Sequence, residues 1–234
     1  MTTTKRAFMH GIRDSIPFTV VVGPFALLFG VVATEAGLSV AQTLGFSVAV
    51  IAGAAQFAAV QLMVDNAPTL IVLATALAVN LRMAMYSASL APYLGEAPLW
   101  KRAALSYLLV DQSYALSLVK YETEPEMNTS SKVAYFLGSM TISAPVWYAM
   151  TLLGALVGTR IPPEYALDFA VPITFLALIA PMLKTAAHVA AAFTSVALAL
   201  ILAFLPFNLG LMVAAVAAMM VGAQVELMTR RRAA

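Results

Sequence analysis

The chain has 234 residues, 62% of them hydrophobic and 10% charged, with a formal net charge of +2. Soluble domains carry about 25% charged residues, so the polar surface is too scarce to cover a soluble particle, and no basic stripe with interleaved aromatics supports nucleic-acid binding. Cysteine is absent, His10 and His188 are far apart and no HExxH pattern occurs, so no disulfide, metal site or cofactor is expected.

Charges punctuate a series of apolar runs, several of them near the roughly 20 residues a bilayer crossing needs. The first, Ser15 to Thr34, follows Lys5, Arg6 and Arg13 and reads as a retained membrane helix rather than a signal peptide; Pro24 inside it is expected to kink or break it. The second runs from Ser39 to Val64. Asp65-Asn66-Ala67-Pro68 then marks a turn and a new helix start. The third, Thr69 to about Leu90, ends at Ala91-Pro92, and Lys101-Arg102 marks an aqueous face. The fourth is Ala103 to Val119, followed by the most polar stretch, KYETEPEMNTSSK at 120–132. The fifth is Val133 to Thr159, with Pro145 and a Gly154-xxx-Gly158 pair. A short sixth segment, Phe169 to Leu183, is broken by Pro172 and bounded by Pro181. A long run from Val189 to Val225 is split at Pro206-Phe207-Asn208 into a seventh and an eighth.

These runs define an all-α polytopic membrane protein of about eight hydrophobic segments in one membrane domain, 1–234. The polar loop 121–132 separates two candidate halves, 1–120 and 133–234. Basic residues at both termini place both in the cytoplasm, which requires an even number of crossings. Eight spans satisfy this, as do six spans with two broken or re-entrant segments; the second arrangement puts Lys101, Arg102 and Arg160 inside and Lys120 and Lys132 outside. Segments two and six, each interrupted by Gly or Pro, are the expected broken pair, a pattern that points to a transporter binding site.

The polar residues inside the apolar runs are the candidate site. Gly53 and Gln56 share nearly one face of the second segment, where glycine serves either close packing or local unwinding. Arg82 lies deep in the third segment, where a central arginine costs about 2.5–3.5 kcal/mol on insertion scales. It shares a face with Tyr86, and Asn80 and Ser87 form a neighbouring polar strip. Asp111 is the sharpest feature. Tyr107, Asp111 and Tyr114 are spaced as one stripe on a single helix, and an intramembrane carboxylate must pair, take a proton or meet water. Asp111 is expected to face Arg82, either as a structural ion pair or in competition with a substrate.

The stretches VVGPFALLFGVVATEAGLS (21–39), AGAAQFAAV (52–60), NLRMAMYSASLAP (80–92), LLVDQSYAL (108–116) and LDFAVPITFLALIAPML (167–183) resemble the AzlC-type proteins, the large subunits of bacterial branched-chain amino-acid exporters. The chain departs from the family pattern at Ala55, where serine is usual, at Met83, where histidine is common, and at Gln112, which follows the membrane aspartate where glutamate is frequent. The resemblance implies an inner-membrane exporter of small hydrophobic amino acids (valine, leucine, isoleucine and methionine), working with a small AzlD-type membrane subunit.

The functional expectation is therefore a proton-coupled carrier, not an enzyme, whose substrate-binding residues are Gly53, Gln56, Asn80, Arg82, Tyr86, Asp111, Gln112 and Tyr114, with Asp111 as the proton-coupling group. The alternatives are a non-transporting membrane scaffold or assembly subunit, a channel, or an intramembrane enzyme. The last lacks a paired nucleophile and base.

Overall fold

The computed structural model describes residues 3–160, 183–206 and 209–233. Among these the secondary structure is helical: α1 (Thr4–Glu35), α2 (Val40–Ala49), α3 (Gly53–Val64), α4 (Thr69–Leu94), α5 (Leu99–Tyr107), α6 (Asp111–Thr123), α7 (Thr129–Gly158), α8 (Ala186–Ile201) and α9 (Leu209–Ala233). Among the described residues, four helices are long and apolar enough to cross a membrane: α1, α4, α7 and residues Leu209–Thr229 of α9. Large apolar side chains on their surfaces, such as Leu77, Leu81, Met85 and Leu153, are exposed, as bilayer solvent requires. The chain is a polytopic membrane protein.

Two compact units are distinguished, Met1–Gln61 with Ala76–Tyr165, and Leu62–Thr75 with Ala166–Ala234. In the second, α8 and α9 run antiparallel. Gly222 approaches Ala191 while Gly210 abuts Leu202 at the other end of the pair, and the Thr75 hydroxyl points at the Met212 sulfur, 4.0 Å away.

The first unit is built on α1 and α7, which run parallel. Asp14 and Gly11 meet Tyr135, Gly23 meets Val146 and Met150, and Gly30 lies against the Thr151 backbone. The approach is close because small residues face each other. A Cβ on Gly30 would collide with the Thr151 carbonyl, and one on Gly154 with the Leu27 carbonyl, so these helices touch backbone to backbone. Gly154 and Gly158 thus serve packing. Pro17, Pro24 and Pro145 lie inside continuous helices. Of the kink or break expected at Pro24, the break does not occur, because packing along the whole length of α7 holds α1 helical on both sides of it.

The end of this unit that carries the start of α1 is called proximal here, the other distal. α1 stops distally at a tight turn in which Gly37 takes φ +91° and Leu38 N–H bonds the Ala33 carbonyl. Ser39 then caps α2 reciprocally with Gln42. α2 heads inward, placing Phe46 against Phe29. The chain unwinds at residues 50–52, where Val50 is extended (φ −139°, ψ 105°). α3 then turns back. Gly53 sits against Phe25 and Trp147, Phe57 reaches Phe29 again at 5.6 Å, and Gln56 bonds Ser47. A continuous helix would hold residues 47 and 56 about 13 Å apart along its axis, so α2 and α3 form a re-entrant hairpin from the distal end. The interruption expected in segment two is present and is a reversal.

α5 and α6 form a second hairpin, from the proximal end. Before α5, Glu96 accepts a hydrogen bond from Thr129 at the start of α7. At its end, Tyr107 reaches Tyr148, well along α7. Residues 108–110 unwind, and α6 returns proximally until the Tyr121 hydroxyl bonds the Lys132 carbonyl. This break lies in segment four, where none was expected. The interrupted segment six, 167–183, falls almost entirely outside the described residues. The hairpin also corrects the charge placement. Lys120 and Lys132 lie at the proximal end with Lys5 and Arg6, as does the start of α5 with Lys101 and Arg102, whereas Arg160 follows α7 at the distal end.

Candidate functional site

Each hairpin is turned by identifiable chemistry. At the first tip β-branched Val50 and Ile51 precede Gly53, a sequence with little helical preference. No larger residue fits at 53, since a Cβ there would run into the Phe25 ring and lie 2.9 Å from Trp147. Packing and unwinding, which sequence leaves as alternatives, coincide at this glycine. At the second tip the Ser113 hydroxyl, fully buried, accepts from Val110 N–H at 2.9 Å and lies 3.1 Å from the Leu108 carbonyl. It supplies partners to backbone groups that unwinding frees. Asp111 occupies the first turn of α6, where its charge meets the positive end of the helix dipole.

Because the chain breaks at 108–110, the predicted stripe of Tyr107, Asp111 and Tyr114 is not one helix face. Tyr107 ends α5 and turns away: its hydroxyl donates to the Val48 carbonyl at 2.6 Å and accepts from Tyr148 at 2.7 Å. Val48 lies in the last turn of α2, so this bond joins the ends of the two hairpins.

Asp111 turns toward α4. Arg82, near the midpoint of that 26-residue helix, places Nη1 2.9 Å from Asp111 Oδ2. Tyr86, one turn on, donates to Asp111 Oδ1 at 2.9 Å. Its ring stacks on Tyr114 at 4.1 Å with the planes 10° apart, and Tyr114 in turn donates to Ser89 at 3.2 Å. The acid thus has one charged and one neutral donor. The Coulomb attraction of such a pair is of order 4 kcal/mol at an effective dielectric of 20, enough to offset the roughly 2.5–3.5 kcal/mol of placing arginine at mid-helix. The pair is not sealed: the side chains remain 30% and 52% exposed. Arg82 Nε is buried and unpartnered, as is the Asn80 carbonyl oxygen. Gln112, beside Asp111, is half-buried.

The predicted site residues therefore fall into two groups. Arg82, Tyr86, Asp111 and Tyr114 touch one another at mid-depth, with Asn80 and Gln112 adjacent in sequence. Gly53 and Gln56 belong to the distal hairpin, where Gln56 bonds Ser47 and Ser47 meets Thr151. A cavity of about 390 Å3 opens between the proximal half of α4 and α5, walled by Leu90, Leu94, Leu105 and Phe136 with Ser87 and Ser106. Sequence reading missed Tyr107's link to Val48, Ser113 and Thr151. None of the three carries a sequence signal for this role, since each is an ordinary helix residue elsewhere.

Comparison with known proteins fits this picture. The family described as AzlC protein matches residues 17–161, which include both hairpins and the Arg82–Asp111 pair. The inner membrane protein YgaZ of Escherichia coli is 27% identical over 74% of this chain and 71% of its own length. An uncharacterized membrane protein of Archaeoglobus fulgidus is 30% identical over 82% of this chain and 83% of its own length. One from Helicobacter pylori is 29% identical over 65% and 67%. No solved structure matches.

Proposed function

From the premise that this chain belongs to the AzlC family, a family associated with branched-chain amino-acid transport, we propose that it is an inner-membrane carrier exporting branched-chain and other hydrophobic amino acids. The observation that supports this reading best is the Arg82–Asp111 pair at mid-depth, bridged by Tyr86. A zwitterion needs one cation and one anion held a few ångströms apart, and this pair supplies both.

In this mechanism the substrate exchanges into the pair. Its carboxylate takes Arg82, including the unpartnered Nε, and its ammonium takes the Asp111 carboxylate. Charge is conserved at each step, so neither side chain is stranded in apolar surroundings. The stacked Tyr86 and Tyr114 rings wall the site, while Asn80 and Gln112 supply further polar contacts. Protonation of Asp111 releases the ammonium and couples export to the proton gradient. The apolar walls at Leu90 and Phe136 offer the side chain a proximal approach. Gly53 and Gln56 act on the other hairpin, fixing its tip and its seat on α7. Opening alternates between the two ends, with the Tyr107–Val48 bond remade at each cycle. A small AzlD-type membrane subunit completes the transporter.

The test is radiolabelled leucine, isoleucine, valine and methionine counterflow in liposomes, with and without that subunit. Exchange that Arg82→Gln abolishes supports the carrier. A well-folded protein that exchanges none of the four with its partner present is a scaffold.

A further inference from the structure

Three fully buried polar side chains from three helices meet beside the tip of the distal hairpin, and a fourth, Thr43, lies one turn before them on α2. Thr43 and Ser47 are one turn apart on the same face of α2, Gln56 is on α3 and Thr151 on α7. Ser47 Oγ is 3.2 Å from Thr151 Oγ1 and 3.2 Å from Gln56 Nε2. Two oxygens of the group, Thr43 Oγ1 and Gln56 Oε1, have no hydrogen-bond partner. An arrangement meant only to tie helices together would not bury two orphaned oxygens, because each costs about 1–3 kcal/mol.

The chemistry of the set points to a cation. A half-turn of the Gln56 amide presents oxygen instead of nitrogen to Ser47, and three oxygens then lie in sequence at 3.2 Å spacing. An octahedral oxygen shell around an ion at about 2.3–2.6 Å has neighbouring oxygens about 3.2–3.7 Å apart, so the spacing suits a small ion. All four side chains offer neutral, hard oxygens, which excludes soft metals. Divalent calcium draws on carboxylates, and none of the four is one. The cluster also lies beside the unwound residues 50–52, between the last turn of α2 and the first turn of α3. Half-helix ends and unwound backbone are where membrane carriers hold sodium.

We propose that Thr43, Ser47, Gln56 and Thr151 bind a small monovalent cation, Na+, at the joint between the distal hairpin and α7. Bound there, the ion satisfies the orphaned oxygens and locks α2 and α3 onto α7. The ion site is separate from the Arg82–Asp111 pair and does not depend on what that pair carries.

The test uses the purified full chain in nanodiscs. Thermal unfolding is followed in NaCl, KCl and choline chloride at equal ionic strength, and 22Na+ binding is measured by scintillation proximity. Na+ should raise Tm by several degrees over choline, saturably and more than K+ does, and 22Na+ should bind at one site. Thr43→Val and Gln56→Leu should remove the Na+-specific shift, while Thr43→Ser, which keeps the hydroxyl, should retain it. Equal Tm in the three salts with no saturable 22Na+ binding by the unmodified protein overturns the proposal, as does an undiminished shift in a folded Gln56→Leu protein. Amino-acid exchange without Na+ binding removes this site alone; Na+ binding without exchange removes the carrier reading alone.

Discussion

Tyr107 donates its hydroxyl proton to the Val48 carbonyl at 2.6 Å, a bond that joins the proximal hairpin to the distal one. Val48 offers its carbonyl because α2 ends within two residues and the chain then unwinds. The two hairpins enter from opposite ends, so their joint marks mid-depth, the level at which Arg82 meets Asp111.

Tyr107→Phe removes that joint and leaves Tyr148 without its acceptor. A net loss of about 0.5–1.5 kcal/mol is expected, read as a lower Tm in detergent. Tyr148→Phe leaves the Tyr107–Val48 bond in place and should cost less. If the bond is remade in each transport cycle, Tyr107→Phe also changes turnover more than it changes the apparent affinity for leucine.

Neutralising one member of the central pair strands the other. Arg82→Gln and Asp111→Asn should each abolish counterflow. The first also leaves a carboxylate at mid-depth with Tyr86 alone and should destabilise by a few kcal/mol. The double swap Arg82→Asp with Asp111→Arg should regain thermal stability without regaining transport. Full recovery of both would assign the pair a structural role.

Ser113→Ala removes the hydroxyl that bonds Val110 N–H beside the second tip. The expected cost is about 1–3 kcal/mol, that of an unsatisfied buried group. Because the tip carries Asp111, leucine affinity should fall with it. Equilibrium binding on protein folded at low temperature separates the two effects.

Gly53→Ala drives a methyl into the Phe25 ring and against Trp147. Overpacking of this kind costs about 1–3 kcal/mol. Phe25→Leu in the same chain should recover part of the loss, as a urea or thermal melt would show.

The absence of cysteine makes the hairpin topology directly measurable. Glu96→Cys and Asn128→Cys should react with an impermeant thiol reagent from the same face as the N-terminus, and Leu38→Cys from the opposite face. Labelling of Glu96→Cys and Leu38→Cys from one face would contradict a proximal and a distal hairpin.

Much of this was legible in the residues, and the failures have causes. Apolar runs between charges locate the long helices, because bilayer thickness fixes their length; Asp65-Asn66-Ala67-Pro68 marks the turn before α4 for a different reason, its polar pair and proline being a helix stop and start signal. The pairing of Arg82 with Asp111 was legible because two opposite charges in apolar spans have few other partners. The break at 108–110 was not. LLVDQS contains no glycine or proline, and the side chain that replaces the lost backbone bonds, Ser113, is an ordinary helix residue elsewhere. With that break unseen, the helical spacing of Tyr107 and Asp111 misled. At Pro24 the sequence leaves kink and break as alternatives, and the packing partner that keeps the helix continuous there lies more than a hundred residues away on α7.

The central claim is that the Arg82–Asp111 pair opens to hold an amino acid in transit. The most direct measurement is leucine counterflow by Asp111→Asn in liposomes containing the partner subunit, beside the unmodified protein, with folding checked by its melting curve. The account predicts a folded protein with no exchange. A folded Asp111→Asn protein that exchanges leucine at the unmodified rate would contradict it.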